Sequence, residues 1–171
     1  MGKYLITKLH EEYISLLKDP EVIKDYCSFY SSVVNWIKQK KKYFTKEIME
    51  RNRLDVLVNL DPNEYIIDEP DIVLSTVASR FESNFPDKID NLAMLIGDTL
   101  WDMVTIYSEK DCPVCDDGLR YILAELNYGK KIVLECDTCG WCEYLDGTTW
   151  NEGVAMCIPA NIKDLIEFGL L

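Results

Sequence analysis

Cysteine is the residue type in this 171-residue chain whose spacing most clearly implies chemistry. Cys112-Pro113-Val114-Cys115 is answered, after twenty intervening residues, by Cys136-Asp137-Thr138-Cys139. Two C-x-x-C pairs at that separation predict a metal site, above all structural zinc. Each pair folds into a tight knuckle with both thiolates on one side, and together the four complete a tetrahedron. Cys136, Cys139 and Cys142 form two overlapping pairs, so one of the three is surplus. Gly140 supports a turn directly after Cys139, and Gly118 lies just beyond Cys115. The expected ligands are therefore Cys112, Cys115, Cys136 and Cys139. Cys142 is read as the start of a strand. Cys27 and Cys157 have apolar neighbours and are expected to be small buried hydrophobes.

The segment between the pairs can fold back as the site demands. Leu119–Leu126 and Lys130–Glu135 read as strands, with Asn127-Tyr128-Gly129 as the turn. Cys142–Leu145 reads as a third strand, ended by Asp146-Gly147. On these residues the stretch from 111 to about 146 resembles a zinc ribbon. The resemblance implies a fold and a bound ion but no activity, because ribbons stabilise enzymes, bind nucleic acid and dock proteins alike.

Other chemistries find little footing. His10 is the only histidine, which leaves no histidine-based triad and no His-rich zinc site. It is expected at the surface of the first helix, beside Glu11 and Glu12. Nothing matches a Gly-rich phosphate loop. Asp98 and Asp102 stand one helical turn apart and could take a hard cation, but solvated acids are the plainer reading. Cys139-Gly140-Trp141-Cys142 has dithiol form, though it follows a strand where redox motifs open a helix. Rubredoxin-like iron also suits four cysteines but needs a redox partner. No enzyme activity is expected.

Charge narrows the partners. The net charge is −12. Residues 1–53 carry eleven Lys/Arg against seven Asp/Glu, whereas residues 54–110 carry three against twelve and residues 111–171 four against eleven. Nucleic-acid binding draws most of its affinity from neutralised phosphates, so direct binding is not expected. An acidic surface instead steers a basic protein partner. Met1-Gly2-Lys3-Tyr4-Leu5 begins no signal peptide, no apolar run approaches membrane-spanning length, and the cysteine total is odd. A cytoplasmic compartment with reduced thiols is the expectation.

The first 110 residues read as about five helices. Asp19-Pro20 stops the first, and Pro20 is expected to open the second at its first turn. In that second helix Val22 to Ile37 form a stripe with Phe29 and Trp36 off it, predicting a central helix covered on two sides. Lys38-Gln39-Lys40-Lys41-Lys42 reads as a solvated helix end. Thr45 is expected to cap a third helix closed by Asp61-Pro62-Asn63, and a fourth is expected from Pro70 to about Asn84. In the fifth, Ile89 through Tyr107 fill a sector of about 120°. Asp90, Asp98 and Asp102 lie opposite, together with Met94 and Trp101. An aromatic among acids is either an interface anchor or a residue that another helix or the ribbon covers. Val154–Ile158 reads as a strand or extended packing segment, and Asn161 as the cap of a last helix stopped by Gly169.

The expected fold is α+β: a helical domain over 1–110, then a zinc ribbon and closing helix over 111–171, with both parts sharing a core. The expected function is recognition by an acidic module stapled with zinc. In physical type this is similar to immunity proteins and antitoxins, which mask basic toxins such as nucleases. Asp90, Met94, Asp98, Trp101 and Asp102 are the candidate partner surface. The alternative is a zinc-ribbon adaptor or regulator acting in transcription or on a nucleic-acid enzyme, using the lysine run for phosphate.

Overall fold

The computed structural model describes residues 2–65, 73–152 and 156–171. It divides into two compact units, Met1–Met103 and Val104–Leu171. The helices are mostly in the first, and the second holds an antiparallel sheet and a short closing helix.

Helical periodicity builds the first unit. In α1 (Gly2–Leu17), Ile6, Leu9, Tyr13 and Leu17 recur at three- or four-residue spacing and are all buried. Asp19-Pro20 follows its end, yet Pro20 does not open the next helix. Residues 20–24 are turns, and α2 (Tyr26–Gln39) starts after Asp25, whose carboxylate accepts the Ser28 N–H at 2.7 Å. An N-cap satisfies an orphan N–H, whereas a proline merely lacks one, so the cap decides the start. Phe29, Val33, Trp36 and Ile37 are all buried, which makes α2 the central helix its two apolar faces predict.

Thr45 caps α3 (Lys46–Arg51), but the expected third helix breaks early. Arg53 adopts a left-handed φ of 58°, and a separate α4 (Leu54–Leu57) follows. Asp61-Pro62-Asn63 then forms a cap and short 3₁₀ turn over Pro62–Glu64. The expected start of the fourth helix at Pro70 lies outside the described residues. From Val73 onward the chain forms α5 (Leu74–Ser83), then α6 (Ile89–Met103). His10 is a correction. It is only 3% exposed, with Nε2 at 2.9 Å from the Phe81 carbonyl and its ring edge-on to Phe85. Glu11 and Glu12 suggest a solvated face, but His10 directly follows the buried Leu9 and packs toward α5.

The second unit starts earlier than position 111. The apolar stripe of α6 continues to Tyr107 by helical spacing, but the helix stops at Met103 and Tyr107–Asp111 forms β1. Strand β2 (Gly118–Leu126) pairs β3 (Gly129–Cys136) in a hairpin closed by Asn127-Tyr128, with Leu126 opposite Gly129. β4 (Cys142–Tyr144) lines the far edge of β3, and Gly147 at φ 85° turns the chain back. β1 and then β5 (Met156–Pro159) share the other edge of β2. Positions 154 and 155 of that expected strand lie outside the described residues. Asn161 and Asp164 form a capping box on α7 (Ile162–Glu167), and Gly169 ends it at φ 71°. Leu165 of α7 packs with Leu123, Ile132 and Ala160 against one face of the sheet. Among the described residues no helix is long and apolar enough to cross a membrane.

Candidate metal centre

Both knuckles have the same backbone construction. In the first, the Asp116 N–H donates to the Cys112 carbonyl at 3.0 Å, and the Cys112 N–H donates to the Asp117 carbonyl at 2.6 Å. In the second, the Gly140 N–H donates to the Cys136 carbonyl at 3.0 Å, and the Cys136 N–H donates to the Trp141 carbonyl at 2.8 Å. The fifth residue of each turn is left-handed, with Asp116 at φ 60° and Gly140 at φ 73°. Glycine takes that conformation freely, and aspartate is among the few other residues that tolerate it. Gly118, expected to serve the first turn, instead opens β2.

β2 and β3 bring the knuckles face to face, with Leu119 opposite Cys136. The four sulfurs of Cys112, Cys115, Cys136 and Cys139 all lie within 4.8 Å of one another, with Cys112–Cys139 at 3.5 Å and Cys115–Cys136 at 3.4 Å. A disulfide needs about 2.05 Å, so these are thiols. A tetrahedral ion with sulfur ligands near 2.3 Å sets sulfur–sulfur edges at about 3.8 Å, close to the spacing found. Cys112 and Cys136 are buried beside Leu119 and Leu134, with Tyr121, Trp141 and Leu145 packed around them. Cys115 and Cys139 lie toward the surface.

The electrostatics call for a cation. Burial opposes charge on the Cys112 sulfur, but N–H groups of Val114 and Cys115 and the thiols of Cys139 and Cys136 outweigh it and draw the group down to about 7. At Cys115 the Asp117 N–H favours the thiolate, yet the neighbouring thiols and burial win and push it up to about 12. Cys139 is likewise raised: the Trp141 N–H opposes the shift, and burial and the Cys112 and Cys136 thiols drive it. The thiolate is therefore favoured at Cys112 and disfavoured at Cys115 and Cys139. A divalent ion removes that conflict, so the donor set fits a metal held by four cysteines.

Side chains around the sulfurs fix the knuckles. Thr138 donates its hydroxyl to Asp117, tying the second turn to the first. Arg120, buried on β2, pairs with Glu135 at 3.0 Å and with Asp137 inside the second knuckle at 2.7 Å. Trp141 Nε1 donates to the buried Glu143 at 2.9 Å, and Lys110 of β1 reaches the same carboxylate at 3.8 Å. Such outer contacts orient ligands and tune affinity. None was singled out from sequence, although Asp116 could have been, standing four residues after Cys112 as Gly140 does after Cys136.

No family model, curated protein or solved structure matches this chain.

The other sequence candidates scatter. Cys142 lies outside the quartet, at the start of β4 as read, with its thiol pushed up to about 11 by burial and by Glu135. Cys157 is exposed and Cys27 half-buried, so neither is the buried hydrophobe expected. Pairing on the sheet edge placed Cys157, and the Asn63 side chain accepts from the Cys27 thiol at 3.4 Å. Trp101 is not a surface anchor. It is 5% exposed, and the Arg53 guanidinium stacks 4.5 Å over its ring. The break between α3 and α4 swings Arg53 there, which helical periodicity could not show. Asp90 is committed to Arg51 and Asn52, both at 3.2 Å. Asp98 is exposed, Asp102 half-buried, and Met94 is 47% exposed.

Proposed function

We propose that this chain is a protein-binding module, without catalytic chemistry of its own, whose β unit is stapled by zinc and whose negative surface recognises a basic partner. The observation that carries this reading is the closed sulfur set. Four protein thiolates fill a tetrahedral ion's coordination, which leaves no position for water or substrate and suits a structural role. What remains for function is surface. The net charge of −12 favours a cationic protein and disfavours phosphate. An inhibitor of the immunity or antitoxin type, masking a basic toxin such as a nuclease, is the most specific form of this reading. With Trp101 buried, the contact rests on exposed acids and Met94 rather than on an aromatic anchor. The cytoplasm is the proposed compartment.

Affinity capture of the zinc-loaded protein from its native cells, with mass spectrometry and nucleic-acid quantitation at low and high salt, tests the proposal. The expected result is a basic protein released as salt rises, with no bound DNA or RNA. Nucleic acid retained at low salt and lost steeply with added salt would instead favour the adaptor or regulator of transcription.

A further inference from the structure

We infer that the helical unit carries a site of the opposite sign: a cavity at the end of α2 that binds an acidic segment of a partner protein through one large apolar side chain. This stands independently of the acidic-surface reading above. The cavity measures about 370 Å³ and is lined by Ile37, Lys38, Lys41, Phe44, Lys46 and Met49. Ile37 and Phe44 are buried and form an apolar floor, and the lysines form a cationic rim.

The state of those lysines is the informative observation. In a chain with this excess of acid, Lys8, Lys18, Lys24, Lys40, Lys110, Lys130 and Lys131 each lie within 4.0 Å of a carboxylate. Among the described residues Lys38, Lys41, Lys42 and Lys88 have no ion pair, and of these Lys38 and Lys41 line the cavity. Lys46 reaches Glu50 at 3.5 Å, but it is 87% exposed, where such a pair is worth little. Lys38 complements the negative end of α2, which accounts for one of the three. It does not account for Lys41 and Lys46 facing the same apolar floor.

Size and surroundings select the occupant. A cavity near the lower end of the ligand-pocket range, roughly 300 to 1,000 Å³, suits one leucine or phenylalanine side chain with flanking carboxylates. Stacking of nucleotide bases needs open aromatic faces, and Phe44 offers none because it is buried. Insertion into an anionic membrane calls for a protruding apolar surface, and this apolar floor is recessed.

The test uses the full zinc-loaded chain and a short fluorescent peptide of aspartates and glutamates around one phenylalanine, read by anisotropy at low salt. The proposal expects saturable binding that weakens about tenfold or more in Lys38→Glu/Lys41→Glu. It also expects weakening in Met49→Gln and with a peptide carrying serine in place of phenylalanine. These changes are at or near the surface, and unchanged far-ultraviolet circular dichroism confirms folded variants. The inference is overturned if the probe does not bind, if the double variant binds it equally, or if the serine peptide binds as well. It is also overturned if RNA or anionic vesicles bind more tightly through the same lysines. Self-association abolished by the double variant, with no peptide binding, would make the occupant a second copy and likewise overturn it.

Discussion

The two units of this protein meet the same requirement by different means. The helical unit buries large side chains in quantity, among them Tyr13, Phe29, Tyr30, Leu54, Leu57, Leu92, Ile96 and Leu100. Among the described residues, two small clusters lie in the β unit of residues 104–171, and one of them is half cysteine. A chain shorter than about 70–80 residues rarely stabilises itself on an apolar core alone. The β unit also carries five Lys/Arg against twelve Asp/Glu, so its charges repel one another. A four-sulfur clamp supplies what that core cannot. Metal dependence should therefore belong to one unit and packing sensitivity to the other.

Removing the metal should break the comparison open most widely. Structural zinc contributes apparent binding energies of about 10–16 kcal/mol in small metal-folded peptides, more than any single contact here. Chelation, or Cys115→Ser or Cys136→Ser, should make residues 104–171 sensitive to protease and quick to exchange amide hydrogens, with α1 to α6 still protected. Cys142→Ser should leave zinc content and protection unchanged. Acid should act in the same order. Thiolates reprotonate and release the ion first. Asp25, by contrast, caps α2 and is held below its usual value by the Ser28 N–H and hydroxyl. A depressed carboxylate stabilises above its unfolded value, near 3.9, and loses that contribution only as pH falls further. Loss of helical structure before zinc release would overturn this division.

The sequence showed these two strategies unequally. Paired C-x-x-C motifs, the hairpin strands about Asn127-Tyr128-Gly129 and the Asn161 cap are local signals, and each lies where the sequence places it. What sequence could not show came from long-range placement. Tyr107 continues a helical stripe on paper, but pairing with Arg120 draws it into β1. Trp101 falls among acids on a helical projection, but Arg53 covers it through a left-handed break forty-eight positions earlier. The lysine run reads as a solvated end, and only tertiary contacts reveal that Lys40 finds Glu12 while Lys38 and Lys41 line a cavity.

A mutation in the helical unit sharpens the contrast from the other side. Gly97 lies mid-helix in α6, where alanine should help by about 1 kcal/mol on propensity alone. A Cβ there would sit 2.7 Å from the Asn52 carbonyl oxygen, a backbone atom that cannot rotate away. Overpacking costs about 1–3 kcal/mol, so the clash should win. Gly97→Ala is expected to destabilise the helical unit by about 1–2 kcal/mol in urea without altering zinc affinity. A stabilised variant would show that α6 shifts freely from the α3–α4 corner.

The smallest expected effect probes the clamp through its backbone. Asp116 and Gly140 occupy equivalent left-handed positions, so the two knuckles should respond alike once side-chain type is matched. Glycine adopts the conformation freely, aspartate at modest strain, and a β-branched residue at about 1–2 kcal/mol. Asp116→Gly should therefore keep or slightly raise zinc affinity, and Asp116→Val should lower it about tenfold in competition with a chelator. The loss would arise because a relaxed φ at 116 pulls its N–H from the Cys112 carbonyl and turns Cys115 out of the tetrahedron. Gly140→Val should weaken binding by a similar factor. If Asp116→Val binds zinc as the parent does, the turn is held by Asp117 and Thr138, and the ion is indifferent to the conformation of the fifth residue.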